Sequence, residues 1–367
     1  MSKIFNVLFF GPIPPKFHGQ SIAFKKATEI AVNSKTIINT NLTGKSLTKK
    51  IILSFFIFFR LFYVFLFKAK PEIIYFTCSR SFFGSIRDVI LLQFARLFNV
   101  PVVNHLHGAD FKCFYDSVPK FYKLVLNQAY YNVQHSIVLT ESMRSQFHIF
   151  PNMKISVVPN FYSKNVGLKG KSKPNSANVS FVFLSNIMKT KGIFLLLEAF
   201  KILQQKYPAI QLRIAGSPIG DYELDASDTS SLFDKYLSSL TNVNYAGVVQ
   251  GDAKQELLNS SSVFVLPSYY KSEAIPLSII EAMASGCAII TTDHNYLPSL
   301  VGQDNGLLVK PIDVESLVAA MERYITSPDL LKTHQVNNVE HASNNFSEDA
   351  YCSGIVKVIE QTLKDCR

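Results

Sequence analysis

Two glutamates, Glu273 and Glu281, stand eight positions apart around a Pro276–Leu277 step. A carboxylate accepts two hydrogen bonds from neighbouring hydroxyls. Two of them on either side of a phosphate seat would suit a sugar on each side, which is the shape of a nucleotide-sugar. The seat itself is a helix start. Pro276 has no N–H and a preset φ, so it fits the first turn of a helix. The spacing predicts a helix over Leu277–Ser285, with Leu277, Ile280 and Ala284 on one face. The N–H groups of Leu277 and Ser278 would have no helical partner and would be free for an anion. The competing reading makes Glu281 an exposed helix residue and Glu273 a charge that favours the positive helix end. On two glutamates alone the two readings stand level.

Flanking elements must position this pair. Val263–Leu266 is a short apolar run closed by Pro267, and Ala288–Thr291 is another, both read as strands. Gly286 suits a left-handed C-terminal cap between helix and second strand. The helix start then lies at the carboxyl end of a parallel strand, where open α/β sheets bind ligands.

The run Ser272–Gly286, SEAIPLSIIEAMASG, with the TTD that follows it, resembles the E-x7-E signature of retaining glycosyltransferases of family GT4, which have the GT-B fold. The resemblance implies that Glu273 holds hydroxyls of the donor sugar and Glu281 those of the ribose. The amides near Leu277 and Ser278 would hold the diphosphate. It further implies two doubly wound Rossmann-like α/β domains facing across a cleft, with a C-terminal helix crossing back.

Composition sets bounds. The 367 residues suffice for two domains, and 48% hydrophobic residues with 30 Phe can fill two cores. Five Cys without a CxxC spacing argue for a reducing compartment and against a structural zinc. Met1–Phe10 is strand-length, too short for a signal peptide, and no small-residue cleavage site follows. The net charge of +10 is concentrated: residues 1–70 hold eleven Lys or Arg and one acid, Glu29, while the remainder is balanced. Such a surface suits nucleic acid or an anionic membrane. No nucleic-acid motif appears.

Ile51–Phe67, IILSFFIFFRLFYVFLF, favours membrane. A spanning helix needs about 20 apolar residues, and a central Arg60 would cost roughly 3 kcal/mol on insertion scales. With Lys45, Lys49 and Lys50 before it and Lys68 and Lys70 after it, the segment reads as an amphipathic helix resting on the bilayer. A plain core helix and a true span are the alternatives. Thr43-Gly44-Lys45-Ser46 ends like a P-loop but lacks the upstream glycine, since position 39 is Asn.

Along the rest of the first half, Ile4–Phe10 reads as a buried strand and Ile22–Val32 as a helix, with Gly11–Ser21 as the loop between them. Gly19 there would let backbone approach a phosphate. The family has paired glycines in this loop; here His18 and Gln20 flank a single one. His18 is read as a solvated loop residue. Strands are expected over Glu72–Thr77, Val100–Leu106, Ser136–Thr140 and Lys154–Asn160. Helices are expected over Ile86–Phe98 and Tyr115–Tyr131, with another starting at Glu141. His107, at a strand's carboxyl end and just before Gly108, points to the cleft. Its HxHG context resembles the family's segment near the reacting sugar; a local loop role is the alternative.

In the second half Tyr162–Asn178 reads as an exposed linker. Strands are expected over Ser180–Leu184, Ile210–Gly216, Val243–Val249 and Asn305–Val309. Helices are expected over Ile193–Tyr207, in Asp221–Ser239, at Glu256–Ser260, over Val314–Ile325 and over Phe346–Leu363. Many family members have Gly-Arg where this chain has Ser185-Asn186, with Lys191-Gly192 retained. The resemblance implies that Lys191 meets the donor diphosphate. The cation at Asn186 is absent; Asn186 can still hydrogen-bond, and Lys189 could add charge. The stretch around Val248 resembles the family's contact with the base.

Together these imply an acceptor-binding domain over residues 1–165, joined by helix 346–367, and a nucleotide-sugar domain over 175–345. The expected activity is a retaining hexosyltransferase acting on a nucleotide-sugar and a lipid-linked oligosaccharide acceptor, in surface polysaccharide (lipopolysaccharide or capsule) synthesis. Glu273, Lys191 and His107 would be catalytic. No DxD metal motif lies near the cleft strands, so no metal and no other cofactor is expected. The protein would be cytoplasmic, held peripherally at the inner membrane face through residues 45–70, with no nucleic acid bound. The rivals are a non-catalytic GT-B binding partner, favoured by the missing arginine, a nucleotide-sugar epimerase needing no acceptor, and a nucleic-acid binder with salt-dependent affinity.

Overall fold

A computed structural model describes residues 5–15, 18–42, 46–168 and 178–366. Met1–Ile4, the P-loop-like residues 43–45 with Lys45, linker residues 169–177 and Arg367 lie outside the described residues. The chain divides into two compact units, residues 1–159 with 349–367 and residues 160–348.

The first unit runs β1 (Asn6–Gly11), α1 (Gly19–Ala27), β2 (Ser34–Asn39), α2 (Leu47–Phe67), β3 (Ile73–Phe76), α3 (Phe82–Leu97), β4 (Val102–His105), α4 (Phe111–Ser117), α5 (Lys120–Tyr130), β5 (His135–Val138), a 3-10 turn at Glu141–Phe147, and β6 (Lys154–Val157). Its six strands pair in parallel in the order β2-β1-β3-β4-β5-β6. The buried strands are near-continuous apolar runs, as sheets covered on both faces require. The chain moves one way from β1 to β2 and the other way from β2 to β5, so right-handed crossovers put α1 on one face and α2, α3 and α5 on the other. The switch point falls between β1 and β3.

The second unit runs β7 (Ser180–Leu184), α6 (Ile193–Lys206), β8 (Gln211–Ala215), α7 (Ala226–Ser239), β9 (Val243–Tyr245), α8 (Gly251–Asn259), β10 (Val263–Leu266), α9 (Leu277–Ala284), β11 (Ala288–Thr292), β12 (Gly306–Val309), α10 (Val314–Thr326) and α11 (Pro328–Asn345). Its sheet is also parallel and six-stranded, ordered β12-β11-β10-β7-β8-β9, and its switch point falls between β7 and β10. The last helix, α12 (Glu348–Asp365), belongs with the first unit. There the Tyr351 hydroxyl donates to the Ala23 carbonyl of α1 at 3.0 Å.

The two doubly wound sheets are those expected, but several local readings need correction. The single helix expected over Tyr115–Tyr131 is two, because Pro119 has no N–H for a helix interior and instead caps α5. The first helix starts at Gly19 and ends by Thr28, earlier than Ile22–Val32 at both ends. The strand over Val243–Val249 stops at Tyr245, and α8 begins five residues before the expected Glu256. Strand β2 and helix α11 were not anticipated.

Candidate active site

The site of the second unit is built from the two loops at its switch point, after β7 and after β10. The loop after β7 is pinned to its neighbour. The Ile187 N–H donates to the Ser217 carbonyl at 2.9 Å, and the Ile219 N–H returns to the Ile187 carbonyl at 3.0 Å. Thr190 donates its N–H and its hydroxyl to Asp221 Oδ2, both at 2.8 Å. The loop ends at Gly192, whose φ of 79° is left-handed. A Cβ there would lie 2.1 Å from the Pro267 carbonyl oxygen, so only glycine lets this turn press on the end of β10. Lys191 is thereby aimed at the second loop.

That second loop, residues 267–276, is irregular backbone held by donors from outside it. Asn295 Nδ2 donates to the carbonyls of Lys271 and Glu273 at 3.0 and 3.2 Å, and Asn160 Nδ2 to that of Ile275 at 2.8 Å. His294 Nε2 lies 3.1 Å from the Tyr270 carbonyl. The fixed loop buries Glu273. Its Oε2 takes the Lys191 ammonium at 2.5 Å and the Ser268 hydroxyl at 2.7 Å. The Lys191 Nζ also sits 5.1 Å over the Tyr270 ring. Glu273 Oε1 has no partner among the described residues and remains able to accept hydroxyl donors.

Helix α9 supplies the seat. Pro276 offers no capping side chain, and the first amide of the turn with a backbone acceptor is Ile279, onto the Pro276 carbonyl at 3.2 Å. The amides of Leu277 and Ser278 have none among the described residues. The helix closes with a Schellman motif: the Gly286 N–H meets the Met283 carbonyl and the Cys287 N–H that of Ala282, both at 2.9 Å, with Gly286 at φ 68°. The left-handed cap read from Gly286 is therefore present. Glu281 is 8% exposed, which overturns its reading as an exposed helix residue. Its Oε1 accepts from Lys254 of α8 at 2.5 Å, while Oε2 is uncommitted among the described residues. Burial raises the Glu281 carboxyl above its usual range, and the Lys254 ammonium opposes that rise. Both glutamates thus spend one oxygen on a lysine and keep the other.

The structure brings together Lys191, Glu273 and the α9 start, and places Glu281 within α9. Asn186 lies exposed at the end of β7, and Val248 is exposed in the loop after β9. Lys189 reaches Glu223 at 3.2 Å. Lys254, Asn295 and Ser268 escaped the sequence reading: none lies at a motif spacing from the glutamates. The acids after Gly216 serve the backbone. Asp221 Oδ1 accepts from the amides of Glu223 and Leu224 at 2.8 and 3.0 Å, and Asp225 caps α7. Among the described residues no three His, Cys, Asp or Glu side chains gather as a metal site.

In the first unit, Gly19 opens α1, and no atom lies within 4 Å of where its Cβ would be. The close strand–helix approach occurs instead at Gly11, where a Cβ would lie 2.5 Å from the Phe24 ring. His18 is not a free loop residue: its Nδ1 accepts from the Ser21 N–H at 3.3 Å and caps the helix. His107 follows β4, stacked on His105 at 4.0 Å, and neither ring nitrogen has a hydrogen-bond partner among the described residues. Burial, reinforced by the Arg80 charge, pushes the His107 imidazole down to about 3, so it is neutral at pH 7. Arg80 pairs with Asp110 at 2.5 Å and packs on Gly108.

Comparison with known proteins agrees with this architecture. Residues 168–341 match the family model of glycosyl transferases group 1. The capsular polysaccharide biosynthesis glycosyltransferase CapM of Staphylococcus aureus is 26% identical over 191 residues, covering 51% of this chain and 48% of that one. The putative teichuronic acid biosynthesis glycosyltransferase TuaC of Bacillus subtilis is 32% identical over 143 residues, covering 39% and 32%. The chain spans about half or less of the length of these curated relatives. Among solved structures, Anabaena HepE in complex with UDP superposes with a TM-score of 0.71 at 14% identity, covering 97% of this chain and 100% of that one. The chain therefore has the GT-B fold, and its residues 168–341 are similar to glycosyl transferases group 1.

Proposed function

We propose that this chain is a glycosyltransferase of surface polysaccharide synthesis. It would move a hexose, with retention, from a nucleotide-sugar to a lipid-linked saccharide. The observation that carries the reading is the pair of lysine-held glutamates on either side of the α9 amides of Leu277 and Ser278, which have no partner among the described residues. Glu281 Oε2 would accept from the ribose hydroxyls and Glu273 Oε1 from those of the sugar. The diphosphate would lie on the amides of Leu277 and Ser278, with Val248 towards the base. As the anomeric C–O bond to the diphosphate breaks, negative charge grows on the departing oxygen. Lys191, held at 2.5 Å by Glu273, and the α9 amides would stabilise that charge without a metal. The acceptor oxygen would bond to the same face of the anomeric carbon, and its proton would pass to the departing diphosphate. Asn186 would contribute a hydrogen bond where many relatives of the GT4 type have a cation. His107, neutral, and Gly19 would serve the acceptor side.

One feature of the first unit supports a lipid-linked acceptor. Among its described residues, helix α2 buries a narrow stripe, Ile57, Leu61, Val64 and Phe65, while Phe55, Phe56, Phe59, Tyr63 and Phe67 are exposed. Such a helix suits a protein lying peripherally on the cytoplasmic face of a membrane through residues 45–70, where a lipid-linked acceptor would be found. UDP in the HepE neighbour makes UDP-sugars the first donors to try. The test is transfer of labelled sugar from UDP-sugars into a lipid-extractable product, with the anomeric configuration read by NMR. An α-linked product from an α-linked donor supports retention; an inverted product would refute the mechanism.

A further inference from the structure

A second exposed aromatic cluster sits on the same face of the first sheet as α2. Helices α2, α3 and α5 share that face, and α3 and α5 run antiparallel to the strands. The N-terminal ends of α3 and α5 therefore lie at the carboxyl edge of the sheet, the edge that carries Arg80 and His107. Phe82 and Phe83 open α3, and Phe121 and Tyr122 open α5. The four rings form a chain: Phe83 to Phe82 at 5.7 Å, Phe82 to Tyr122 at 4.8 Å, and Tyr122 to Phe121 at 6.4 Å. The middle of the chain is fixed, since the Tyr122 hydroxyl lies 2.8 Å from the buried Ser85 hydroxyl. Both ends face solvent: Phe83 is 85% exposed and Phe121 67%, with Leu124 70% exposed in the same helix as Phe121. Rings held rigidly and left wet at helix ends are costly unless something apolar covers them.

We propose that this cluster is a second point of insertion into an anionic bilayer, beside α2. The inference rests on the membrane reading of α2 and adds an orientation to it. Charge selects a lipid surface as the occupant. On α2 and just beyond it, Lys49, Lys50, Lys68 and Lys70 accompany the apolar face, and exposed Lys120 stands beside Phe121. The one acid among residues 1–70, Glu29, is paired with Lys26 at 3.1 Å. Basic side chains beside inserted aromatics fit acidic headgroups above an acyl layer. With both points engaged, the carboxyl edge of the first sheet faces the headgroups, so a lipid-borne saccharide would meet the Arg80 and His107 loops without leaving the membrane.

The chain contains no Trp, so single Phe59→Trp, Phe83→Trp and Phe121→Trp substitutions each give one reporter, with Ile202→Trp in the second unit as the control. The full-length variants are mixed with phosphatidylcholine vesicles with and without phosphatidylglycerol, some carrying brominated acyl chains. The expected result is quenching at positions 59, 83 and 121, dependent on phosphatidylglycerol, and none at 202. The Phe83→Ser/Phe121→Ser pair should weaken vesicle binding about tenfold, for two partly buried rings. Quenching at 59 alone overturns the second insertion point and leaves the membrane reading of α2 intact. No quenching at 59, 83 or 121 overturns both. A dimer in sedimentation that Phe83→Ser dissolves, with no vesicle binding, would make the cluster a face between copies and overturn the proposal.

Discussion

Lys254 is the residue whose removal separates the roles of charge and shape at Glu281. Its ammonium is the partner of a carboxylate embedded in α9, and the two side chains are 20% and 11% exposed. Removing one member of a fully buried pair costs roughly 3–5 kcal/mol, and surface pairs contribute about 0–1 kcal/mol. The residual exposure places Lys254→Met between these limits, at a loss of about 2 kcal/mol. Without Lys254, burial acts on Glu281 unopposed and its folded pKa rises further. A raised carboxyl pKa gives stability that is present at low pH and lost as pH climbs through the folded value. The deficit of Lys254→Met should therefore be small near pH 4 and grow towards pH 8. The protonated carboxyl would be a poorer acceptor for ribose hydroxyls, so nucleotide affinity in the variant should increase with pH while wild type stays flatter. Urea unfolding at several pH values and calorimetric titration with whichever of UDP, GDP or ADP binds would measure both. Lys254→Arg should retain most of each property. If Lys254→Met matches wild type in stability and affinity across this range, the pair does not position Glu281.

Three further outcomes follow. Gly192→Ala must place a Cβ 2.1 Å from the Pro267 oxygen at φ 79°, and should destabilise the chain by about 3 kcal/mol, read by urea unfolding. His107 has a folded pKa of about 3 against 6.5 unfolded, so it gives stability that is complete above pH 6.5 and is lost as pH falls. Between about pH 7 and about pH 5 wild type should lose about 2 kcal/mol more than His107→Gln. If Asn186 faces the departing diphosphate as proposed, Asn186→Arg would put a cation there and should raise kcat about tenfold with little change in donor KM, less than the 10²–10³ attached to a preformed donor; an unchanged or lower kcat would argue that Asn186 is not beside the diphosphate.

The parts of the fold legible in the sequence are those where residue type is dictated locally. β7 and β10 are buried on both faces, so their borders coincide with apolar runs ended by Ser185 and Pro267. Gly286 is needed at its left-handed φ, and it marked the helix end. The parts not legible are those where polar atoms meet partners far along the chain. β2 is an edge strand in which only Ile38 is fully buried, so SKTIIN carries no strand pattern. Helix α11 buries His334, Asn338 and Ala342, and Asn338 donates to the carbonyls of Cys287 and Asn305, both at 2.8 Å. A face of that kind has no hydrophobic period. At the site, Glu273, Glu281 and Lys191 could be named from the motif. Lys254 could not, because its 27-residue separation from Glu281 is closed only when the fold brings this lysine of α8 to the glutamate of α9.

The central claim is that the Glu273 loop and the α9 start turn over a nucleotide-sugar. A panel of UDP-, GDP- and ADP-sugars tests it most directly, with nucleotide release followed for wild type and Glu273→Ala, with and without membrane extract. Release from one donor that depends on the extract and is lost in Glu273→Ala is the predicted result. Donors that bind without turning over in any extract would contradict the account and mark the chain as a binding protein.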